Sequence, residues 1–191
     1  ANRLITFAQG GNPIRKIASI APLLRDTAAT LLRDSNIHCN FDMPDDLWPV
    51  EIDDKQIKQV IQNLINNSRE AMPDGGVIYL RAHNVVISAI DNLPLKEGEY
   101  IKCSVEDHGI GITKEHREKL FEPYFTTKQK GDTKGIGLGL AICYSIVKKH
   151  DGLITVHSEP QVGTTVDVYL PAAKMDGDLC KESSGFSPTD K

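Results

Sequence analysis

No stretch of this 191-residue chain holds enough consecutive apolar residues to cross a bilayer. It also lacks a block of lysine and arginine, and its formal charge is -4. A nucleic-acid partner is therefore not expected, and any polyanion must be held locally, not drawn in by a global field. The four cysteines, Cys39, Cys103, Cys143 and Cys180, show no metal-ligand spacing. The first three sit among apolar neighbours, which predicts buried thiols in a reducing, cytoplasmic compartment. His38, His83, His116, His150 and His157 are scattered and form no metal cluster. Internal repeats are absent. The opening, ANRLITFAQG, has no leader pattern and is expected to be the cut end of something longer.

What is present is ordinary apolar content, 40% of residues, enough for one core. The chain is organised around residues 53–72, DDKQIKQVIQNLINNSREAM. Ile57, Val60, Ile61, Leu64, Ser68 and Ala71 recur at helical spacing and predict a buried stripe. Asp53 with Gln56 three residues on predicts a capping box, and Pro73 before Asp74-Gly75-Gly76 stops the helix. Asn63 and Asn67 lie one turn apart at the border of the stripe, where a half-buried amide can meet a ligand.

Residues 1–9 read as the end of a longer helix, and 13–18 as a short strand. Residues 19–34 predict a helix with Ser19 as cap, Pro22 in its first turn and a buried face from Ile20 to Leu32. Strands are expected at 37–43, 47–52, 77–87, 99–106, 152–158 and 163–170. A helix is expected at 138–149 and a short one near 114–120. Strands mixed with helices predict an α/β two-layer sandwich, one mixed sheet with helices packed on one face. The polar stretch 172–191 reads as a disordered tail or linker.

Two glycine motifs stand out. Asp107-His108-Gly109-Ile110-Gly111 follows a strand directly. A carboxylate at a strand end can accept from the amino group of a ring such as adenine, while the glycines let the backbone pass close by. Gly135-Ile136-Gly137-Leu138-Gly139-Leu140 opens a helix, where backbone amides and the helix N-terminus favour phosphate. Its spacing is not that of a Rossmann fingerprint, and no Walker loop occurs. Between the motifs lies FEPYFTTK, ending in Lys128, which can reach a phosphate. The segment from Thr126 to Lys134 reads as a lid.

Together, the Asn-xxx-Asn helix, D-x-G-x-G, F-x-P-x-F, G-x-G-x-G and Gly163-Thr164-Thr165 occur in one order. That order resembles the ATP-binding catalytic domain of sensor histidine kinases. Their superfamily also holds gyrase, the Hsp90 chaperones and MutL. NNSREAM and FEPYFTTK are similar to the nitrogen-sensor branch. The resemblance covers roughly residues 14–171 and implies a Bergerat-type ATP-binding fold, with nucleotide on the helical side. It implies ATP and Mg2+ as ligands. Asn67 resembles the metal ligand, Asn63 its companion near the phosphates, and Asp107 the adenine acceptor in a pocket shaped by Gly109 and Gly111. Gly135, Gly137, Leu138 and Gly139 resemble the phosphate cradle and lid hinge, Thr164 the hydroxyl beneath adenine, and Lys128 the lysine after the paired threonines. Arg69 is a second candidate near the phosphates. His108 is expected to line the pocket.

Hydrolytic relatives carry a glutamate where this chain has Asn63, an amide that cannot take a proton, so efficient hydrolysis is not expected. Phosphotransfer to a histidine is expected instead, with an ATPase cycle and a non-catalytic nucleotide-binding scaffold as rivals. No H-E-x-x-N-P motif occurs. The resemblance therefore implies an acceptor on a separate dimerisation stem, with residues 1–12 as the end of its helix and 13–171 as the catalytic domain. It implies a response-regulator receiver as partner, and a parent protein that is a homodimer, soluble or membrane-attached.

Overall fold

This computed structural model describes residues 11–123 and 138–174. The readings for residues 1–9, the lid, Lys128, Gly135, Gly137, Cys180 and the tail beyond 174 lie outside them.

Residues 53–72 form helix α2, Asp54–Ala71, numbered after α1, Ile20–Leu32. Its buried stripe is Ile57, Val60, Ile61, Leu64, Ile65 and Ser68. Ala71 is only half-buried, and Ile65, absent from the predicted stripe, is fully buried. Burying one such side chain contributes about 1.5–3 kcal/mol. The predicted capping box is half realised. Asp53 accepts from the Lys55 and Gln56 amides, but Gln56 does not answer; its Nε2 donates to the Gly11 carbonyl. Ser19 stands at the cap position of α1 without a side-chain bond to the helix.

The strands are β1 (Lys16–Ala18), β2 (Ile37–Asp42), β3 (Val50–Ile52), β4 (Gly76–Ile87), β5 (Gly98–Asp107), β6 (Leu153–Glu159) and β7 (Gly163–Pro171). A short helix α3, Lys114–Arg117, follows β5, and α4, Gly139–Lys149, precedes β6. β1 pairs with β3 in a small antiparallel sheet. The main sheet has five strands in the order β2-β4-β5-β7-β6. β2 runs parallel to β4, and the other pairs are antiparallel. The sandwich and its mixed sheet are thus as the sequence predicts.

Strand alternation sorts the residues between two faces. Ile78, Leu80, Ala82, Ile101, Cys103, Val105, Val166, Val168 and Leu170 turn to one side, into a core shared with α1, α2 and α4. Their alternates form the opposite face, open and polar in part, with a second buried apolar cluster of Ile87, Tyr100, Leu153 and Tyr169 on it. There Arg81 pairs with Glu106, and Lys102 Nζ lies 3.0 Å from Asp167 Oδ2. The Ser104 hydroxyl donates to Asp167 Oδ1 at 2.5 Å. Cys103 and Cys143 are buried, as predicted, whereas Cys39 on edge strand β2 is half-buried.

Candidate functional site

Asp107 is the last residue of β5, and the alternation that buries Val105 turns it toward the helices. Its side chain is 4% exposed. Oδ1 accepts the Gly109 amide at 3.0 Å, and Oδ2 accepts the Ser68 hydroxyl at 2.8 Å. Burial pushes its pKa above the ordinary carboxylate value. Bonds from Gly109, Ser68 and the Thr164 backbone oppose the shift, as does nearby His108. Each carboxylate oxygen carries more than one acceptor site, so the group retains capacity for an incoming N–H.

The loop after Asp107 is wedged between α2 and the β6–β7 turn. A Cβ at Gly109 would stand 2.5 Å from the Ala71 carbonyl oxygen, at the C-terminus of α2. Gly111 has φ +64°, and a side chain there would overlap the Glu159 carbonyl. The Ile110 amide donates to Ala71 O at 3.1 Å, and the Gln161 amide donates to Ile110 O at 2.9 Å.

Thr164 stands directly across from Asp107 on β7. Its Oγ1 lies 2.8 Å from Ser158 Oγ. The Ser158 hydroxyl donates to Gly163 O at 2.9 Å and accepts from the Ile112 amide at 2.8 Å. Ser158 has only one hydrogen, so the Thr164 hydroxyl supplies the bond between them. The Thr164 oxygen then keeps lone pairs toward the site.

Asn63 and Asn67 share one edge of α2. Asn63 is half-buried, and its Nδ2 donates to the Gly139 carbonyl at 3.3 Å. Asn67, one turn further along the same edge, is exposed, not half-buried as predicted. Among the described residues no partner takes up its amide. Leu138 occupies the N-cap position of α4 without a side-chain cap, so the first amides from Gly139 onward are left for another acceptor. Arg69 turns to Asn66, with Nη1 3.3 Å from Oδ1.

His108 does not line the pocket. Alternation carries it to the open face, where it is exposed, 3.4 Å from Glu106 Oε1 and edge-on to Tyr79. Asp107, Gly109, Gly111 and Thr164 do meet, at one end of α2, with Asn63, Leu138 and Gly139 along its flank. The sequence reading missed Ser68 and Ser158. Ser68 fell on the apolar period and was counted as core. Ser158 carried no local signal.

An oxygen-only donor set suits a hard cation, and the unengaged Asn67 amide fits a magnesium ion that draws its other ligands from phosphate and water. Among the described residues no cluster of carboxylates or imidazoles offers a rival site.

A family profile described as histidine kinase-, DNA gyrase B-, and HSP90-like ATPase matches residues 52–174. Sensor kinase CckA of Brucella abortus (strain 2308) is 39% identical over 174 residues, 88% of this chain and 18% of that protein. Sporulation kinase E of Bacillus subtilis (strain 168) is 36% identical over 155 residues, 80% of this chain and 19% of that protein. This chain thus spans less than a fifth of either relative. Among solved structures, the nucleotide-free catalytic domain of histidine kinase ThkA superposes with a TM-score of 0.65 at 28% identity, covering 83% of this chain and 97% of that one. With the site at Asp107 and the sheet order above, these matches settle the membership: the chain belongs to the histidine kinase-, DNA gyrase B-, and HSP90-like ATPase family, as an ATP-binding domain of the sensor-kinase kind.

Proposed function

We propose that this chain is the kinase module of a larger sensor protein. It binds ATP with magnesium and presents the γ-phosphate to a histidine on a dimerisation stem. From there the phosphate passes to a response-regulator aspartate. The reading rests above all on Asp107, a buried carboxylate held at both oxygens beside Thr164, with acceptor capacity left over.

Adenine donates its amino group to Asp107 and lies against the Gly109–Gly111 loop. The phosphates run along α2 toward Asn63 and the uncapped start of α4, where Gly139 and Leu138 offer amides to negative charge. By the family resemblance, Gly135, Gly137 and Lys128, which lie outside the described residues, also serve the phosphates. Asn67 holds magnesium, which neutralises phosphate charge. An imidazole is already a competent nucleophile, so the protein's task is positioning and electrostatics. Asn63 cannot act as a base toward water, which disfavours the ATPase rival. Residues 13–171 form the catalytic unit, with 1–12 belonging to the stem and 172–191 to a tail; residues 11 and 12 are not helical, and Ala172 and Ala173, expected to be disordered, bond back to Glu99 and Pro49. The parent acts as a homodimer in the cytoplasm.

Titration with a fluorescent magnesium–ATP analogue tests the nucleotide step. Saturable, magnesium-dependent binding is expected, and its absence refutes the reading. Incubation with γ-labelled ATP should leave this chain unlabelled, while added stem from the parent gains an acid-labile phosphate. Stoichiometric labelling of this chain alone would place the acceptor elsewhere.

A further inference from the structure

Helices α2 and α4 lie side by side and antiparallel, pinned at both ends. At the nucleotide end Asn63 Nδ2 donates to the Gly139 carbonyl at 3.3 Å. At the far end the Asp53 backbone amide donates to His150 Nε2 at 3.0 Å. Ten residues of α2 separate the pins, about 15 Å of helix. His150 is 1% exposed, and its Nδ1 lies 2.8 Å from the Ile146 carbonyl. Nδ1 must donate there, which leaves Nε2 with the lone pair that the Asp53 amide needs.

The far pin is gripped from outside by the strap 11–18. The Ile14 amide donates to Asp53 Oδ2 at 2.9 Å, and Gln56 Nε2 donates to Gly11 O at 3.0 Å. Lys16 Nζ lies 2.5 Å from Asp54 Oδ2. Arg15 reaches across to α4. Its guanidinium meets Asp151 Oδ2 at 2.9 Å and donates to the Lys149 carbonyl. One short segment thus holds the start of α2 and the end of α4 together.

We propose that His150, whose neighbours Asp53 and Asp151 this strap holds, is a positioning residue for the nucleotide site and acts through α4. The proposal rests on the nucleotide reading above. Close packing leaves α4 no room to adjust gradually against α2, so its register at His150 fixes where Gly139 stands beside Asn63. Losing the far pin lets α4 slide and removes the first-turn amides from the phosphate end.

The test uses the full chain with His150→Phe, which keeps bulk without an acceptor, His150→Gln, which keeps an acceptor, and Arg15→Ala at the surface. Hydrogen exchange is read at the Ile142 amide, which bonds Leu138 O at the start of α4, with the β4–β5 amides as fold control. Affinity for the magnesium–ATP analogue is the second readout. His150→Phe should speed exchange at Ile142, spare β4–β5 and weaken the analogue by about five- to tenfold, the scale of a typical inter-site coupling. His150→Gln should restore most of both, and Arg15→Ala should move both the same way by less. Wild-type values at Ile142 and for affinity in His150→Phe, or no recovery in His150→Gln, overturn the proposal. If His150→Phe does not fold, Arg15→Ala decides on the same two readouts. Failure of the unaltered chain to bind the analogue refutes the nucleotide reading instead, and exchange at Ile142 still judges the link from His150.

Discussion

The Ser68 hydroxyl donates to Asp107 Oδ2 across 2.8 Å, joining α2 to the end of β5. Burial raises the Asp107 pKa, and the Ser68 bond pulls against that rise. Ser68→Ala removes the donor, so Asp107 should protonate at higher pH. A protonated carboxyl presents a hydrogen where adenine needs an acceptor. Nucleotide affinity in the variant should therefore start to fall at a higher pH than in the unaltered chain. Calorimetric titrations at stepped pH read this directly, and coincident profiles would remove Ser68 from the electrostatics of the site.

Asp107→Asn should cost about 1.5–3 kcal/mol of nucleotide binding, the loss of a hydrogen bond to a charged group. The empty protein should respond differently. A folded pKa raised above the unfolded 3.8 means that stability is lost as pH climbs from that value through the folded one. The loss stands in full once pH exceeds the folded pKa, and the variant relieves it. Its melting temperature without nucleotide should be no lower than that of the unaltered chain. A much lower melt would make Asp107 a structural group first.

His150 sets a second pH dependence. Burial holds its pKa below the ordinary 6.5, and the nearby Arg15 cation adds to the shift. The bond to Ile146 and the Asp53 and Asp151 carboxylates oppose it. The unfolded chain takes up a proton near 6.5 while the folded chain does not. Stability present above that pH is lost as pH falls below it, until the folded pKa is reached. Urea unfolding at stepped pH should show this slope, and His150→Gln should remove the part that His150 contributes.

The buried thiols should be inert. Burial pushes Cys103 and Cys143 up to about 12, and Cys39 up to about 11. The reactive thiolate is then scarce at pH 8. Peptide mapping after a short alkylation should find Cys103 and Cys143 unmodified in the folded chain and modified in urea. Modification of either under native conditions would mean that the core opens far more often than its packing implies.

The fold was legible because its elements announce themselves locally. The stripe of α2 repeats at helical spacing, and the Asp74-Gly75-Gly76 turn fixes where it ends. The glycines at 109 and 111 were expected to bring the backbone close to a ligand ring; what the structure shows is that they bring it close to the Ala71 and Glu159 carbonyls. What escaped was long-range. His150 looked like one more scattered histidine because its partner, Asp53, lies 97 positions away. That same bond took the Asp53 amide that Gln56 was expected to satisfy. Ser68 hid inside an apolar rhythm that its size does not disturb. His108 was within reach of the sequence: if 105 and 107 face inward on a strand, 106 and 108 face outward.

The order of the main sheet has a consequence for synthesis. β7, the last strand described, does not lie at an edge; it fills the slot between β5 and β6. Until it is inserted, β5 presents an unpaired border and β6 has no neighbour in the sheet. Thr164, which faces Asp107, arrives with that same strand. A nascent chain emerging from the ribosome therefore has Asp107 without Thr164 opposite it until β7 follows. The Asp107–Thr164 pair is completed in the one step that seats β7 between β5 and β6, so a ligand held by both residues can reward that step but cannot start it.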